Sequence, residues 1–146
     1  MLTATDHIRN LLGRYTELVD LADWDGVGEL FAHGTLATED GSALATGAEA
    51  VGAFYRTGTR AHEGSPRTKH LVANTLLHVD APDRIVARSS YVVFQAVDGL
   101  PLQPIIAGRY VDTFSDVADR GGWHFVERRF TVDLAGDLSH HLTWAI

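Results

Sequence analysis

The 146-residue sequence contains no cysteine. Disulfides, thiolate metal sites and cysteine nucleophiles are therefore excluded, and the composition suits a reducing compartment, for which the cytoplasm is the simplest expectation. The sequence also lacks a run of about eighteen apolar residues and a basic start followed by an apolar stretch. We therefore expect no membrane span and no signal peptide.

Basic residues are few, at 12 against 19 acidic ones, and the formal net charge is −7. The basic residues are scattered rather than grouped, so no surface for nucleic acid is indicated. Only four prolines occur, each alone, and there is no repeat or linker-like tract. With 45% hydrophobic residues the chain can bury a core, and we expect one domain over residues 1–146.

Two kinds of periodicity divide the chain. Helical spacing predicts a helix over residues 5–23 with Thr3 or Thr5 as N-cap, a short helix in WDGVGELFA, and a third in GAEAVGAFYRTGT. A short strand and hairpin are expected around Asp40-Gly41. Extended segments follow near residues 67–79, 84–97, 105–115 and 122–134. Helices followed by consecutive antiparallel strands predict an α+β fold in which a curved sheet encloses a cavity.

Three strings, RYTELVDLADWDGVGELFA, RTKHLVANTLLHVD and GGWHFVERRFTVD, resemble the SnoaL-like branch of the NTF2-like superfamily. The resemblance spans nearly the whole chain. It implies a cone-shaped α+β barrel, with a curved mixed or antiparallel sheet wrapped over about three N-terminal helices and an apolar pocket inside.

The dehydratase-type members of that family carry an aspartate late in the first helix and a histidine early in the first long strand. The matching residues here are Asp20 and His70, and the same resemblance offers Tyr15, Asn74 and an arginine on the last strand. It implies a cofactor-independent lyase in which Asp20 orients His70 as general base. Such a pair suits elimination of water from a small hydrophobic substrate, because a neutral imidazole takes protons near pH 7.

The residue patterns leave alternatives open for each member of this set. On a helical wheel Asp20 falls outside the apolar stripe, which favours a surface carboxylate, whereas Tyr15 falls inside it and could equally be a core residue. Strand alternation groups His70 with Asn74 and His78, and either face of that strand could look inward.

Alternation in the last strand places Arg128 with apolar neighbours and Arg129 on the other face. An arginine in apolar surroundings needs an anion or several acceptors, so Arg128 is either half of a structural ion pair or a substrate clamp. Trp24, Phe54 and Tyr91 are predicted pocket walls, from element position and apolar bulk.

Three other functions compete with the dehydratase interpretation. Ketosteroid isomerases have a similar first helix, and Tyr15 and Glu39 match their tyrosine and catalytic carboxylate, but no second carboxylate is found near Tyr110. Epoxide hydrolases of this superfamily need a second inward aspartate beside an arginine, which the sequence does not indicate. A non-catalytic module that binds a small molecule remains open, as does a polyketide cyclase.

No cofactor is predicted, because the glycine-bearing segment GSALATGAEAVG follows no nucleotide-binding pattern. The eight histidines show no metal-ligand spacing, so no metal is predicted either. The expected partners are a small hydrophobic molecule and a second copy of the chain. A homodimer through the convex sheet face would cover strands that are apolar on both faces, as at Ile105 and Ile106.

Overall fold

The computed structural model describes residues 1–144. Its helices are α1 (Ala4–Asp20), α2 (Trp24–Leu30) and α3 (Ala48–Gly58), with a single 3-10 turn at Ala118–Arg120. Thr3 caps α1 through a reciprocal capping box with Asp6. The three helices predicted from periodicity are therefore confirmed, although α1 ends three residues earlier than expected.

Helix α1 ends in a tight turn directly after Asp20. Ala22 has a left-handed backbone, with φ of 56°. The N–H of Asp23 then bonds back to the carbonyl of Leu18, and the Asp23 side chain caps α2 by accepting from the N–H of Gly26. The chain therefore reverses directly after Asp20, whose carboxylate bonds to Thr68 and His70 of the neighbouring sheet.

The strands form one mixed sheet. Their bounds are β1 (Thr35–Ala37), β2 (Ala43–Thr46), β3 (Thr68–Ala81), β4 (Arg84–Val97), β5 (Leu100–Val117), β6 (Gly122–Phe130) and β7 (Leu134–Ala135). The order is β2-β1-β6-β5-β4-β3, with β7 added to β5. Within residues 1–144, β1 and β6 form the one parallel pair, and all other pairs are antiparallel. The sheet is curved and unclosed, which confirms the predicted α+β cone.

The helices cover the concave side of this sheet. Ile8, Leu12 and Val19 of α1 join the inward residues of the long strands in one apolar core. The other two helices pack closely on each other, because a Cβ on Gly28 would overlap the carbonyl oxygen of Ala48. The wide end of the cone is left for a cavity.

Strand β3 does not keep the simple alternation that the sequence suggested. A bulge lies between the pairs Ala73↔Ser90 and Leu76↔Arg88, and Asn74 within it has φ of 56°. The extra residue switches the faces of the strand beyond this point. The predicted common face of His70, Asn74 and His78 is therefore wrong: Asn74 and His78 are both exposed.

The apolar pair Ile105 and Ile106 is covered within one chain. Ile106 pairs with Ala135 of β7, and the carbonyl of Ile105 accepts from the N–H of Gly136. Both isoleucines are buried, so neither exposes an apolar surface that needs a partner. The homodimer stays a prediction. None of the helices within residues 1–144 is long and apolar enough to cross a membrane.

Candidate functional site

A cavity of about 350 Å³ lies between α1, α3, the concave face of the sheet and the C-terminal segment. Its volume is in the range of small-molecule sites. Apolar side chains form most of the wall, and a few polar groups converge among them: all four tyrosines of the chain, two histidines and one arginine, namely Tyr15, Tyr55, Tyr91, Tyr110, His70, His141 and Arg128.

Asp20 and His70 form a close pair at the base of this cavity. His70 Nδ1 lies 2.6 Å from Asp20 Oδ1, and both side chains are largely buried. The same carboxylate also accepts from the backbone N–H of His70, at 3.1 and 3.2 Å, and from the hydroxyl of Thr68 at 3.0 Å. Asp20 therefore binds strand β3 at three donors and fixes the imidazole ring.

The pairing determines the tautomer of His70. A carboxylate only accepts hydrogen bonds, so the short contact requires the proton on Nδ1. The lone pair of the neutral ring then lies on Nε2, at the far side of the ring from Asp20. His70 lines the cavity and Asp20 does not. The arrangement offers a base to the cavity with the carboxylate behind it.

Two pairs of tyrosines form the polar part of the wall. The hydroxyls of Tyr15 and Tyr55 lie 2.8 Å apart, and the rings of Tyr91 and Tyr110 stack with centroids 4.4 Å apart. Burial raises the pKa of Tyr55 and of Tyr110 well above that of a free phenol. Both are neutral phenols over the whole physiological range, and neutral phenols can donate hydrogen bonds to a ligand.

Arg128 is fully buried in an ion pair with Asp112. Its Nε and Nη2 donate to the two Asp112 oxygens at 2.7 and 2.9 Å, and neither side chain is exposed. Burial alone would lower the pKa of Arg128, but the Asp112 carboxylate raises it above its ordinary value. Burial raises the pKa of Asp112, against the opposing effect of Arg128. The bidentate geometry fixes this as a charged pair.

The guanidinium of Arg128 is also held between aromatic rings. Its central carbon lies 4.2 Å from the ring centre of Tyr15 and 3.7 Å from that of Tyr110. Nη1 has no hydrogen-bond partner within residues 1–144. Of the two roles that the sequence leaves open for Arg128, the structural ion pair is therefore present. Nη1 is the one guanidinium nitrogen that does not take part in it or in another hydrogen bond within residues 1–144. Arg129 lies on the other face and pairs with Glu127.

Sequence reasoning missed Asp112, although a signal existed. Asp112 follows Tyr110 by two positions on β5, and alternation places both on the inner face. The earlier objection that no inward aspartate lies beside an arginine is therefore wrong. Both oxygens of Asp112 are nevertheless occupied by Arg128, and Asp112 does not line the cavity. It offers no free carboxylate for activating water.

His141 is the second functional candidate that the sequence analysis missed. It lies in the irregular C-terminal segment, where neither helical nor strand periodicity gives a signal. Its ring lines the cavity with its centroid 6.2 Å from that of His70. Burial, followed by the neighbouring His70, lowers the pKa of His141 to about 4.

The remaining predicted residues divide into two groups. Phe54 and Tyr91 line the cavity. Trp24 does not line it and instead stacks on the outer side of Tyr55, with ring centroids 6.3 Å apart. Asn74 is exposed on the bulge and lies outside the cavity, because the inserted residue turned it away.

Glu39 does not lie in the cavity wall either. It is exposed in the turn between β1 and β2, 3.6 Å from Arg109. The carboxylate that an isomerase of this superfamily would use therefore faces away from the cavity. No group of three or more histidine, aspartate or glutamate side chains within residues 1–144 is arranged to hold a metal ion.

Comparisons with known proteins agree with this architecture. An NTF2-like protein with a cystatin-like fold from Novosphingobium aromaticivorans is 26% identical, with a TM-score of 0.70 over 91% of this chain and 83% of its own. A protein from the same organism named "Putative Scytalone Dehydratase" is 20% identical, with a TM-score of 0.68 over 89% of this chain and 84% of its own.

Another solved structure from that organism is named "putative aromatic ring hydroxylase". It is 17% identical, with a TM-score of 0.71 over 96% of this chain and 99% of its own. Identities this low, under such different names, support the shared fold alone. No curated protein sequence matches. The profile of the SnoaL-like domain matches residues 1–129, and the chain therefore belongs to the SnoaL-like family.

Proposed function

We propose that this protein is a cofactor-independent lyase that removes water from a small hydrophobic molecule, with His70 as the base and Asp20 as its orienting partner. The observation that carries the proposal is the 2.6 Å contact between His70 Nδ1 and Asp20 Oδ1 behind a cavity that His70 lines. One structural neighbour is named "Putative Scytalone Dehydratase", which supports the same class of reaction.

The reaction is a β-elimination. His70 Nε2 takes a proton from a carbon that an adjacent carbonyl acidifies, and the electrons of that C–H bond form the new C=C bond. The C–O bond on the next carbon breaks, and the departing hydroxide receives the proton from His70 and leaves as water. Asp20 stabilises the imidazolium that exists between these two proton transfers.

Other wall residues would favour this chemistry through charge and hydrogen bonding. Negative charge develops on the carbonyl oxygen when the proton leaves. Nη1 of Arg128, which the ion pair with Asp112 leaves free, and the phenol groups of Tyr15 and Tyr110 can stabilise it in this largely apolar cavity. Phe54 and Tyr91 would hold the hydrophobic body of the substrate. Acid–base help of this kind contributes roughly 10²–10⁴-fold to the rate.

The test separates proton abstraction from the complete reaction. The purified protein is incubated in D₂O with a panel of hydrophobic β-hydroxy carbonyl compounds, and mass spectrometry follows both deuterium uptake and loss of water. We expect both with the wild type and neither with His70→Ala. His78→Ala is the matched control, because His78 lies exposed on the same strand.

The outcome of this experiment also distinguishes the competing functions. Deuterium uptake without loss of water would indicate an isomerase or cyclase rather than a dehydratase. Tight retention of a compound with neither event, and equally by His70→Ala, would contradict the lyase and favour the binding module.

A further inference from the structure

His141 is held at the cavity by backbone contacts on both sides of it. Its N–H donates to the carbonyl of Leu138 at 3.0 Å, and its own carbonyl accepts from the N–H of Arg60 at 2.8 Å. The next residue, Leu142, forms a bridge with Thr59 at the end of α3. These contacts fix the position of a residue that belongs to no helix or strand.

The imidazole of His141 is buried with an unsatisfied ring nitrogen. The residue is 7% exposed, and Nδ1 has no hydrogen-bond partner within residues 1–144. A buried polar atom without a partner is unfavourable in the folded state. His141 lines the cavity, so a molecule bound there can supply the missing partner.

The charge state of His141 suits a place beside a general base. Burial, and then His70 on β3, lower the pKa of His141 to about 4, while Asp20 on α1 opposes this and His62 adds to it. His141 is therefore neutral at pH 7. A neutral ring does not repel the imidazolium that forms when His70 accepts a proton, whereas a second cation would.

We propose that His141 is a second catalytic residue, whose neutral imidazole hydrogen-bonds the substrate hydroxyl that departs when His70 removes the neighbouring proton. This proposal rests on the proposed elimination and narrows its substrate. The molecule must be hydrophobic and carry a hydroxyl group that reaches His141 while its acidic carbon lies at His70; the two ring centroids are 6.2 Å apart. Because the His141 ring is uncharged, it favours a neutral hydroxyl group over a charged carboxylate or phosphate.

A binding experiment tests this contact without requiring turnover. The probes are 2-naphthol and naphthalene, which differ by one hydroxyl group, and the protein carries ¹⁵N-labelled histidine. We expect 2-naphthol, and not naphthalene, to shift the ring nitrogens of His141. We also expect 2-naphthol to bind more tightly than naphthalene, and His141→Phe to reduce that ratio by about three- to tenfold, the worth of one hydrogen bond.

His140→Phe is the matched control. The carbonyl of His140 accepts from His62 and Gln95, contacts that survive the substitution, and its side chain does not line the cavity. The ratio of the two affinities should not change in this variant. If His141→Phe does not fold, the shifts of the His141 ring nitrogens in the wild type still test whether His141 contacts the hydroxyl of 2-naphthol.

Three results would overturn the proposal. They are an unchanged affinity ratio in His141→Phe, unshifted His141 nitrogens in the presence of bound 2-naphthol, and failure of both probes to bind. The elimination can fail independently, because the deuterium and water-loss measurements with His70→Ala do not involve these probes. A protein that binds 2-naphthol through His141 but shows no deuterium uptake would support this contact and contradict the lyase.

Discussion

The Asp20 carboxylate binds both the ring and the backbone of His70. Oδ1 lies 2.6 Å from Nδ1, and the two oxygens lie 3.2 and 3.1 Å from the His70 backbone nitrogen. One carboxylate therefore fixes the ring relative to the strand that carries it. Every group that Asp20 contacts here, including the hydroxyl of Thr68, is a hydrogen-bond donor.

Asp20→Asn should disturb this arrangement with little change in volume. One carboxylate oxygen becomes an NH₂ group, which must then face another hydrogen-bond donor. The preference of His70 for the Nδ1–H tautomer is therefore weakened. We expect a larger fraction of the Nε2–H form in the ¹⁵N spectrum of His70. We also expect deuterium uptake by a productive substrate to fall by roughly 10²–10⁴-fold.

Glu17→Gln is the control for Asp20→Asn, because it makes the same chemical change on the exposed side of α1. It should leave both the His70 spectrum and the exchange rate unchanged. An unaltered tautomer in Asp20→Asn would show that Asp20 does not determine the proton position.

The sequence predicted the architecture better than it predicted the positions of single polar residues. The helices and long strands follow from periodic apolar side chains, and that pattern extends over many residues. Alternation alone places Arg128 and Arg129 on opposite faces, and β6 keeps that alternation at these two residues. These features depend on local spacing, which a sequence contains.

Asp20, Asn74 and His141 depend on features that local spacing does not contain. The helical wheel treats α1 as packed on one side only, whereas α1 also packs against β3, and Asp20 lies on that side. The bulge that exposes Asn74 comes from a single inserted residue. His141 is held at the cavity by the bond of its carbonyl to the distant residue Arg60 and by the bridge of its neighbour Leu142 to Thr59.

The buried pair Asp112 and Arg128 should be a major determinant of stability. Asp112→Asn leaves the Arg128 charge buried without its carboxylate, which should lower the free energy of unfolding by about 3–5 kcal/mol. The exposed pair Arg56 and Asp25 provides the comparison, and Asp25→Asn should cost at most about 1 kcal/mol. Urea denaturation measures both.

The double variant Asp112→Leu/Arg128→Met refines this prediction. It removes both charges, so it should be more stable than Asp112→Asn, because no unpaired charge stays buried. A double variant less stable than the single one would contradict this explanation and indicate that the pair contributes mainly through packing with Tyr15 and Tyr110.

Two glycines in helices should respond in opposite directions to substitution by alanine. A Cβ on Gly28 would overlap the Ala48 carbonyl oxygen, so Gly28→Ala should separate α2 from α3 and destabilise the protein by more than about 1 kcal/mol. Gly13 in α1 has no atom within 4 Å of its would-be Cβ. Gly13→Ala should therefore stabilise the helix by about 0.5–1 kcal/mol. Thermal unfolding of the two variants would contradict this packing if both shifts had the same sign.

The low pKa of His141 predicts a specific dependence of stability on pH. Above pH 6.5 the residue is neutral in both the folded and the unfolded chain, and it has no pH effect. Between pH 6.5 and about 4 the unfolded chain takes up a proton that the folded chain does not, so the free energy of unfolding falls by about 1.4 kcal/mol per pH unit as the pH decreases. Below pH 4 both states are protonated and the effect of His141 is constant.

His141→Gln removes this titration. The unfolding free energy of the wild type minus that of the variant should therefore decrease as the pH is lowered from 6.5 to 5. The comparison with the variant cancels the contribution of groups that do not interact with His141. Parallel profiles for wild type and His141→Gln would mean that the ring accepts a proton in the folded state as readily as in the unfolded one. The neutral partner required beside His70 would then be absent below pH 6.5.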